Sequence, residues 1–394
     1  MVSRYLNLKA YHQSDLYHPH GEKEMGLDDL SEILPPSLAK LELSKDKYID
    51  IPEEISDTYS TFRPTPLTRV RELERAIDTS CEIYVKNEGL TPTGNHKANS
   101  AYPIAFLCKR DGVAAIATET TGNWGIALAV AGRRFGVEVV CFLDHESHAQ
   151  RPDRKSAMEE LGAEVVVVQP QENQKTRDLL TLSADAAIEF TKQSRGVYYV
   201  FGSVYGYFVI PQSVIGLEIK NQLEKLNRYP DVVVGTCGGG ASLLGTAAVF
   251  LADIVDENGG AKIVSAEAES CPVISEGRMG IYSIDTQQYY PMLKTYGIDE
   301  LKNGGYVGGL GSTVVASSVA FFHSQGMIDV NRFSADDARN AAETLYKSEG
   351  ILVALESGYT VAAVIKQARD NDNKVIVANV SSGDRDRQFY TCDI

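Results

Sequence analysis

The chain is 394 residues long, 43% apolar and 23% charged, with a formal net charge of −15. That length holds two lobes or one large α/β unit around a cleft. The acidic balance excludes a nucleic-acid binder, which meets phosphates with clustered Lys and Arg.

No run approaches the roughly 20 apolar residues of a membrane span. The N-terminal stretch MVSRYLNLKAYHQSDLYHPHGEKEMG lacks the apolar centre of a signal peptide. Six cysteines, at 81, 108, 141, 237, 271 and 392, show neither CxxC nor metal-ligand spacing. Several lie in apolar runs such as VVCFL, which reads as buried, reduced cysteine in a soluble, reducing compartment, most simply the cytoplasm.

Residues 1–81 read as an N-terminal extension and lead-in. From about residue 82, β-rich runs alternate with helical stretches. CEIYVKNE predicts a strand, HKANSAYPIAFLCKRDG a helix, VAAIATET a strand and NWGIALAVAGRRFG a helix stopped by Gly136. VEVVCFLD, RKSAMEELG and AEVVVVQ continue the rhythm. It resumes with YPDVVVGTCGGG, AKIVSAEAE, SADDARNAAETLYKSEG and NKVIVANVSSGD. Such alternation predicts parallel sheets with helices on both faces, here as two α/β lobes over 82–225 and 226–394. Ligands of such sheets bind at the carboxyl ends of strands.

Two segments carry chemistry. TPTGNHKANS, residues 91–100, wraps Lys97 in small residues, either as an ordinary helix start or to hold an amine in a pocket. VVVGTCGGGASLLGTA places Gly238, Gly239 and Gly240 between a strand and an apolar helix. Glycines let the backbone approach an anion, and a helix N-terminus adds free N–H groups, so this reads as a phosphate cradle. A tight turn accounts for the glycines equally well. No Gly-Lys-Ser/Thr follows, which excludes a nucleotide P-loop, and the spacing is wrong for a dinucleotide fingerprint. A lysine able to lose its proton and a separate phosphate cradle together suggest pyridoxal phosphate held as a Schiff base.

RPTPLTRV (63–70), IYVKNEGLTPTGNHKANSA (83–101), GSVYGYFVIPQSVIGLEIKNQLE (202–224) and EGILVALESGYTVAA (349–363) resemble the tryptophan synthase β chain family. The resemblance runs from about residue 60 to 383 and implies the two-lobed fold type II architecture of pyridoxal-phosphate enzymes. It implies that Lys97 forms the internal aldimine and shuttles the Cα proton. His96 and the loop Gly238, Gly239, Gly240, Ala241 and Ser242 would hold the phosphate. Asn99 would lie beside the ring hydroxyl, and Glu356 near the ring. A serine would face the pyridine nitrogen, either Ser381 by spacing from Asn379 or Ser382 if the Ser-Gly pair is the anchor. The resemblance also implies a homodimer and leaves room for a monovalent cation bound by backbone carbonyls.

The chain departs from the family at its substrate loop. ETTGNWG (119–125) is one residue shorter than the β-chain pattern, and TTGNWGIALA resembles the substrate loop of cysteine synthases. Thr120, Thr121, Gly122 and Asn123 are the expected α-carboxylate ligands at a helix N-terminus, with Trp124 beside them. Glu119 keeps the place of the acid that meets the nucleophile, and burial would raise its pKa. Ala241 replaces a usual serine and Ser242 a usual asparagine. The tail SSGDRDRQFYTCDI also differs, bringing in Asp384, Arg385 and Asp386.

The expectation is β-replacement on L-serine or an activated serine through an aminoacrylate, with a nucleophilic co-substrate and a remodelled second-substrate pocket. Tryptophan synthesis proper, a serine/threonine dehydratase-type lyase and a non-catalytic cofactor-binding relative are the alternatives. An oxidoreductase would rest on Gly238–Gly240 alone.

Overall fold

The computed structural model describes residues 2–13, 16–19, 23–170, 178–302 and 308–391. The larger of two main sheets has six strands in the order Ile328–Phe333, Lys262–Ala268, Val232–Thr236, Val375–Val380, Glu82–Asn87 and Leu67–Arg69. All its pairs are parallel except the last. The smaller sheet has four parallel strands in the order Glu164–Val168, Glu138–Asp144, Ala115–Thr120 and Val197–Tyr199. Val375–Val380 is buried at every position, as a parallel strand covered on both faces must be, and this is why it reads as an apolar run interrupted only by Asn379.

The lobe boundary differs from the sequence expectation. Glu82–Asn87, expected to open the N-terminal lobe, pairs in register with Val375–Val380, Ile83 opposite Ile376 and Val85 opposite Ala378. The boundary at residue 82 therefore falls inside the larger sheet. An apolar run identifies a strand, but nothing local to it says which sheet the strand will join.

The N-terminal extension is built into the core. Arg4–Leu6 pairs antiparallel with Tyr48–Asp50, and Leu16–Tyr17 joins Met292–Gly297 and Arg278–Tyr282 in a small antiparallel sheet. Lys9 and Glu42 form a buried ion pair at 2.7 Å, and Glu42 also accepts the Tyr207 amide at 2.9 Å. Glu42 thus ties the extension to the helix Gly206–Gln212 behind the site.

The expected helices begin and end where their caps lie. Gly136, at φ 69°, closes Asn123–Phe135. Ser334 and Asp337 form a capping box at the start of Ala335–Glu349. Cys81, Cys108, Cys141, Cys237 and Cys271 are free and buried, and Cys392 lies outside the described residues. Among those residues, no helix is long and apolar enough to cross a membrane.

Candidate active site

Lys97 immediately precedes the helix Ala98–Arg110. The turn before it is locked by short polar bonds: the Lys97 amide donates to Asn95 Oδ1 at 3.0 Å, and the Thr91 hydroxyl to the Asn95 carbonyl at 2.7 Å. The small residues after Lys97 let its helix pack closely on Gly206–Gln212, where the Ser100 hydroxyl donates to the Phe208 carbonyl at 2.5 Å. Lys97 Nζ lies 5.5 Å from the centre of the Phe208 ring. Burial lowers the amine's pKa to about 8, while Glu356 and Glu119 pull it back upward. An amine so placed is partly neutral near physiological pH and available as a nucleophile or base.

The glycine loop lines the same cleft, whose volume is about 290 Å³. A Cβ on Gly238 would stand 2.5 Å from the Leu310 carbonyl oxygen, and one on Gly239 2.1 Å from Ser203 Oγ. Gly240, at φ +98°, turns the chain into the helix Ala241–Val255. Ala241 contributes no hydroxyl. Ser242 Oγ makes only long contacts with the Asn379 side chain, 3.5 Å to Oδ1 and 3.4 Å from Nδ2, and so can turn to a ligand. His96 stands on the wall, its Nδ1 3.0 Å from Gln212 Oε1.

Glu356, Ser381 and Ser382 also line the cleft. Glu356 Oε1 accepts the Gly309 amide at 2.9 Å, whereas its Oε2 is buried and has no partner among the described residues. That orphaned acceptor, the close-approach cradle and the depressed amine fit a phosphate-bearing pyridine ring. The two serines separate: Ser382 Oγ donates to Asp384 at 2.9 Å, while no bond within the described residues holds the Ser381 hydroxyl. Ser381 is thus the serine with a hydroxyl to offer.

Asn99, expected beside the cofactor, is fully buried and absent from the cleft wall. Its side chain accepts from Arg63 Nη1 at 2.6 Å and donates to Glu88 at 2.8 Å. It belongs to a dry network in which Arg63 also forks onto Glu218, and Lys86 bonds Glu218. A motif position gives no warning of this, because the partners come from residues 36 and 11 positions earlier in the chain.

The substrate loop opens the helix Asn123–Phe135. Thr120 Oγ1 accepts the amides of Gly122 at 2.8 Å and Gly125 at 2.9 Å, so this threonine caps the helix. The amides of Thr121, Asn123 and Trp124 are left without a protein acceptor among the described residues, a nest suited to a carboxylate. Gly122, at φ +128°, leaves room for the stem of Arg154, whose Nη1 donates to the Thr121 carbonyl at 2.9 Å. Trp124 is buried, donates Nε1–H to Thr118 Oγ1 at 2.7 Å and lies flush against Gly202.

Glu119 shares with Lys97 and Trp124 a second compartment of about 50 Å³, walled also by Leu180, Phe201 and Ser203. Its carboxylate accepts from the Tyr199 hydroxyl at 2.6 Å and the Gly202 amide at 3.2 Å. Burial raises its pKa to about 7 against these bonds. Sequence reasoning did not select Tyr199, Ser203, Gln212 or Arg154. Ser203 and Gln212 lie inside the segment GSVYGYFVIPQ, where the resemblance was the available signal.

A two-lobed α/β fold with a depressed lysine at one wall and a glycine cradle at the other defines a pyridoxal-phosphate enzyme of fold type II. The chain belongs to that family: the pattern described as "Pyridoxal-phosphate dependent enzyme" matches residues 59–382. Within it, the chain is tryptophan synthase β-like. It is 36% identical over 379 residues to the tryptophan synthase beta chain of Thermosipho africanus, covering 92% of this chain and 90% of that protein. It is 34% identical over 380 residues to tryptophan synthase beta chain 2 of Thermotoga maritima, with the same coverage. Among solved structures, the processed form of threonine deaminase isoform 2 from Solanum lycopersicum shares the fold, with a TM-score of 0.63 at 18% identity. That match covers 82% of this chain and 81% of the other.

Proposed function

We propose that this enzyme replaces the β-substituent of L-serine or an activated serine with a nucleophile delivered to the Glu119 compartment. The observation that carries the reading is the buried Glu119 carboxylate, with its pKa near 7, in one compartment with Lys97. When bound, the cofactor supplies an electron sink that acidifies the Cα–H and lets the β-group depart. The cradle of Gly238, Gly239, Gly240, Ala241 and Ser242 would hold its phosphate, and Ser381 would offer a hydroxyl to its ring nitrogen. A hydroxyl there does not hold that nitrogen protonated as a carboxylate would, which favours β-elimination over transamination.

The amides of Thr121, Asn123 and Trp124 orient the substrate by its α-carboxylate. Lys97 takes and returns the Cα proton. Glu119 takes the nucleophile's proton as its bond to Cβ forms, a role that needs a pKa near the working pH. Trp124 and Phe201 close the compartment to water.

The compartment's size bears on the nucleophile. It is narrow, about 50 Å³ against about 290 Å³ for the main cleft by the same measure. We therefore assign a nucleophile smaller than indole. The second reading is tryptophan synthesis with indole itself, favoured by the names of the relatives matched over 92% of the chain. A homodimer in the cytoplasm belongs to the same proposal, and sedimentation tests the dimer.

The deciding experiment supplies L-serine with indole, or with small thiols and amines, and reads products by mass spectrometry and the cofactor's visible spectrum. Products from small nucleophiles alone support the retuned pocket, and tryptophan at a comparable rate overturns it. No consumption of serine or its O-acyl and O-phosphoryl esters overturns β-replacement itself.

A further inference from the structure

A chain of hydrogen bonds behind the cradle has a fixed direction. The Ser100 hydroxyl lies 2.5 Å from the Phe208 carbonyl and 2.5 Å from the Gln212 amide. A carbonyl oxygen can only accept, so the single hydroxyl proton points at Phe208. Ser100 must then accept from Gln212, which places the amide nitrogen toward Ser100 and Oε1 toward His96. That oxygen stands 3.0 Å from His96 Nδ1 and also can only accept, so Nδ1 carries a proton. In the neutral ring Nε2 therefore bears a lone pair, and it has no partner among the described residues. His96 lines the cleft beside the glycine loop.

A lone pair is the wrong group to face a phosphate. Phosphate monoesters lose their second proton near pH 6, so above about pH 7 the cofactor arrives with acceptors only. We propose that the cofactor's phosphate enters together with a proton from solvent, which the His96 ring takes up at Nε2. The inference rests on the assignment of the loop Gly238–Ser242 as the phosphate cradle, and makes Gln212 and Ser100 positioning residues that set the ring's polarity.

The charges acting on the ring agree. Its pKa is pushed down to about 4, first by burial and then by Lys97 next to it, with the Gln212 hydrogen bond and then Glu88 in the adjacent loop opposing. The Glu88 charge is already engaged by Arg63, at 3.1 and 3.2 Å. Burial and Lys97 thus keep the ring neutral at working pH, and an incoming dianion reverses that balance.

The test is a ¹⁵N spectrum of the histidine rings of full-length protein at pH 8, before and after saturation with pyridoxal 5′-phosphate. His96→Asn identifies the resonances. The expected result is a ring protonated at Nδ1 alone in the empty protein and at both nitrogens once the cofactor is bound. Gln212→Leu removes the acceptor at Nδ1, so the neutral ring can turn its proton to Nε2. That variant should bind the cofactor with a singly protonated ring. Ser100→Ala frees the Gln212 amide to reverse and should behave likewise, which keeps the test open if one variant fails to fold. A ring still singly protonated in the loaded wild type overturns the inference while leaving the cradle intact. A visible spectrum and ring resonances both unchanged by the cofactor would overturn the cradle and the inference together.

Discussion

The Tyr199 hydroxyl donates to Glu119 Oε2 over 2.6 Å in the buried core of the smaller lobe. The Gly202 amide serves the other oxygen at 3.2 Å, so both oxygens of a carboxylate removed from water have a donor. Burial raises the Glu119 pKa to about 7, and these bonds keep it from rising further. The Tyr199 ring also packs edge-on against Tyr290, with centroids 5.0 Å apart, and that contact survives loss of the hydroxyl. Tyr199→Phe should therefore leave the fold intact and raise the Glu119 pKa. A hydrogen bond to a charged group contributes about 1.5–3 kcal/mol, or roughly one to two pKa units. The rising limb of the pH–rate profile for nucleophile addition should move upward by that amount. An unmoved limb would show that Glu119 is not the group titrating there.

Glu119→Gln separates the two half-reactions. Loss of the β-group from serine, read as pyruvate release, should persist, whereas addition of a nucleophile should fall about a hundredfold or more. The sign of the stability change follows from the raised pKa. The folded state favours the protonated acid, so wild-type stability falls as pH rises from about 4.5 through about 7. Above pH 7 the variant should be the more stable protein by up to about 3 kcal/mol, the equivalent of that shift. Below pH 4.5 the two should converge. Urea denaturation at pH 4 and pH 8 measures both ends.

Seven of the parallel strands and the helix stopped by Gly136 were legible in local pattern, as apolar runs and a cap, whereas the short or mixed strands Leu67–Arg69, Val197–Tyr199 and Ile328–Phe333 carry no such run and were not legible that way. The loop Gly238–Ser242 was legible as a glycine cluster past a strand, whereas Lys97 and Glu119 were singled out mainly by resemblance; Lys97 lines the main cleft with the loop and Glu119 the adjoining compartment. What local pattern does not encode is which distant side chain a residue meets. Glu82–Asn87 reads as a strand, yet its sheet is decided by Val375–Val380 nearly three hundred residues on. Thr120 reads as a ligand and caps a helix. Asn99 reads as a cofactor contact, and Arg63 and Glu88 claim it.

Asn99→Ala tests that last difference. The substitution takes from Arg63 Nη1 its acceptor at 2.6 Å and from Glu88 Oε2 one of its two donors in a dry site, where a lost hydrogen bond to a charged group costs about 1–3 kcal/mol. The protein should lose stability by that amount in denaturant, with the Glu88 carboxyl, now held near 2 mainly by Arg63 against burial, staying ionised. Cofactor affinity should change by less than tenfold, because Asn99 does not line the cleft. A larger loss of affinity at unchanged stability would restore Asn99 as a direct cofactor ligand.

Gly238→Ala addresses the cradle. Its Cβ would lie 2.5 Å from one backbone atom of Leu310 and 2.7 Å from another, and backbone cannot swing aside as a flexible side chain can. The loop must shift, so pyridoxal 5′-phosphate should bind at least tenfold more weakly in an equilibrium titration. Gly240→Ala adds strain of another kind, since φ is +98° there. It should cost stability as well as affinity.

The two serines at the end of Val375–Val380 give the sharpest contrast within one segment. The Ser382 hydroxyl donates to Asp384 at 2.9 Å and accepts the Asp384 amide at 3.2 Å, closing a turn on the exposed side. The Ser381 backbone is fixed on both sides, its amide to Ser357 Oγ and its carbonyl by the Ala354 amide, each at 2.9 Å. Its hydroxyl is the part left for a ligand. Ser381→Ala should therefore weaken cofactor binding severalfold and shift the bound cofactor's visible band, because the ring nitrogen loses its partner. Ser382→Ala should leave the band where it is and affect only the turn, by about 1 kcal/mol or less. Ser381→Asp should go further than Ser381→Ala: a carboxylate holds the ring nitrogen protonated and strengthens the electron sink. Transamination side products should then rise against β-replacement, measured as the pyridoxamine 5′-phosphate formed per turnover. If Ser382→Ala moves the band and Ser381→Ala does not, the serine that meets the ring is Ser382.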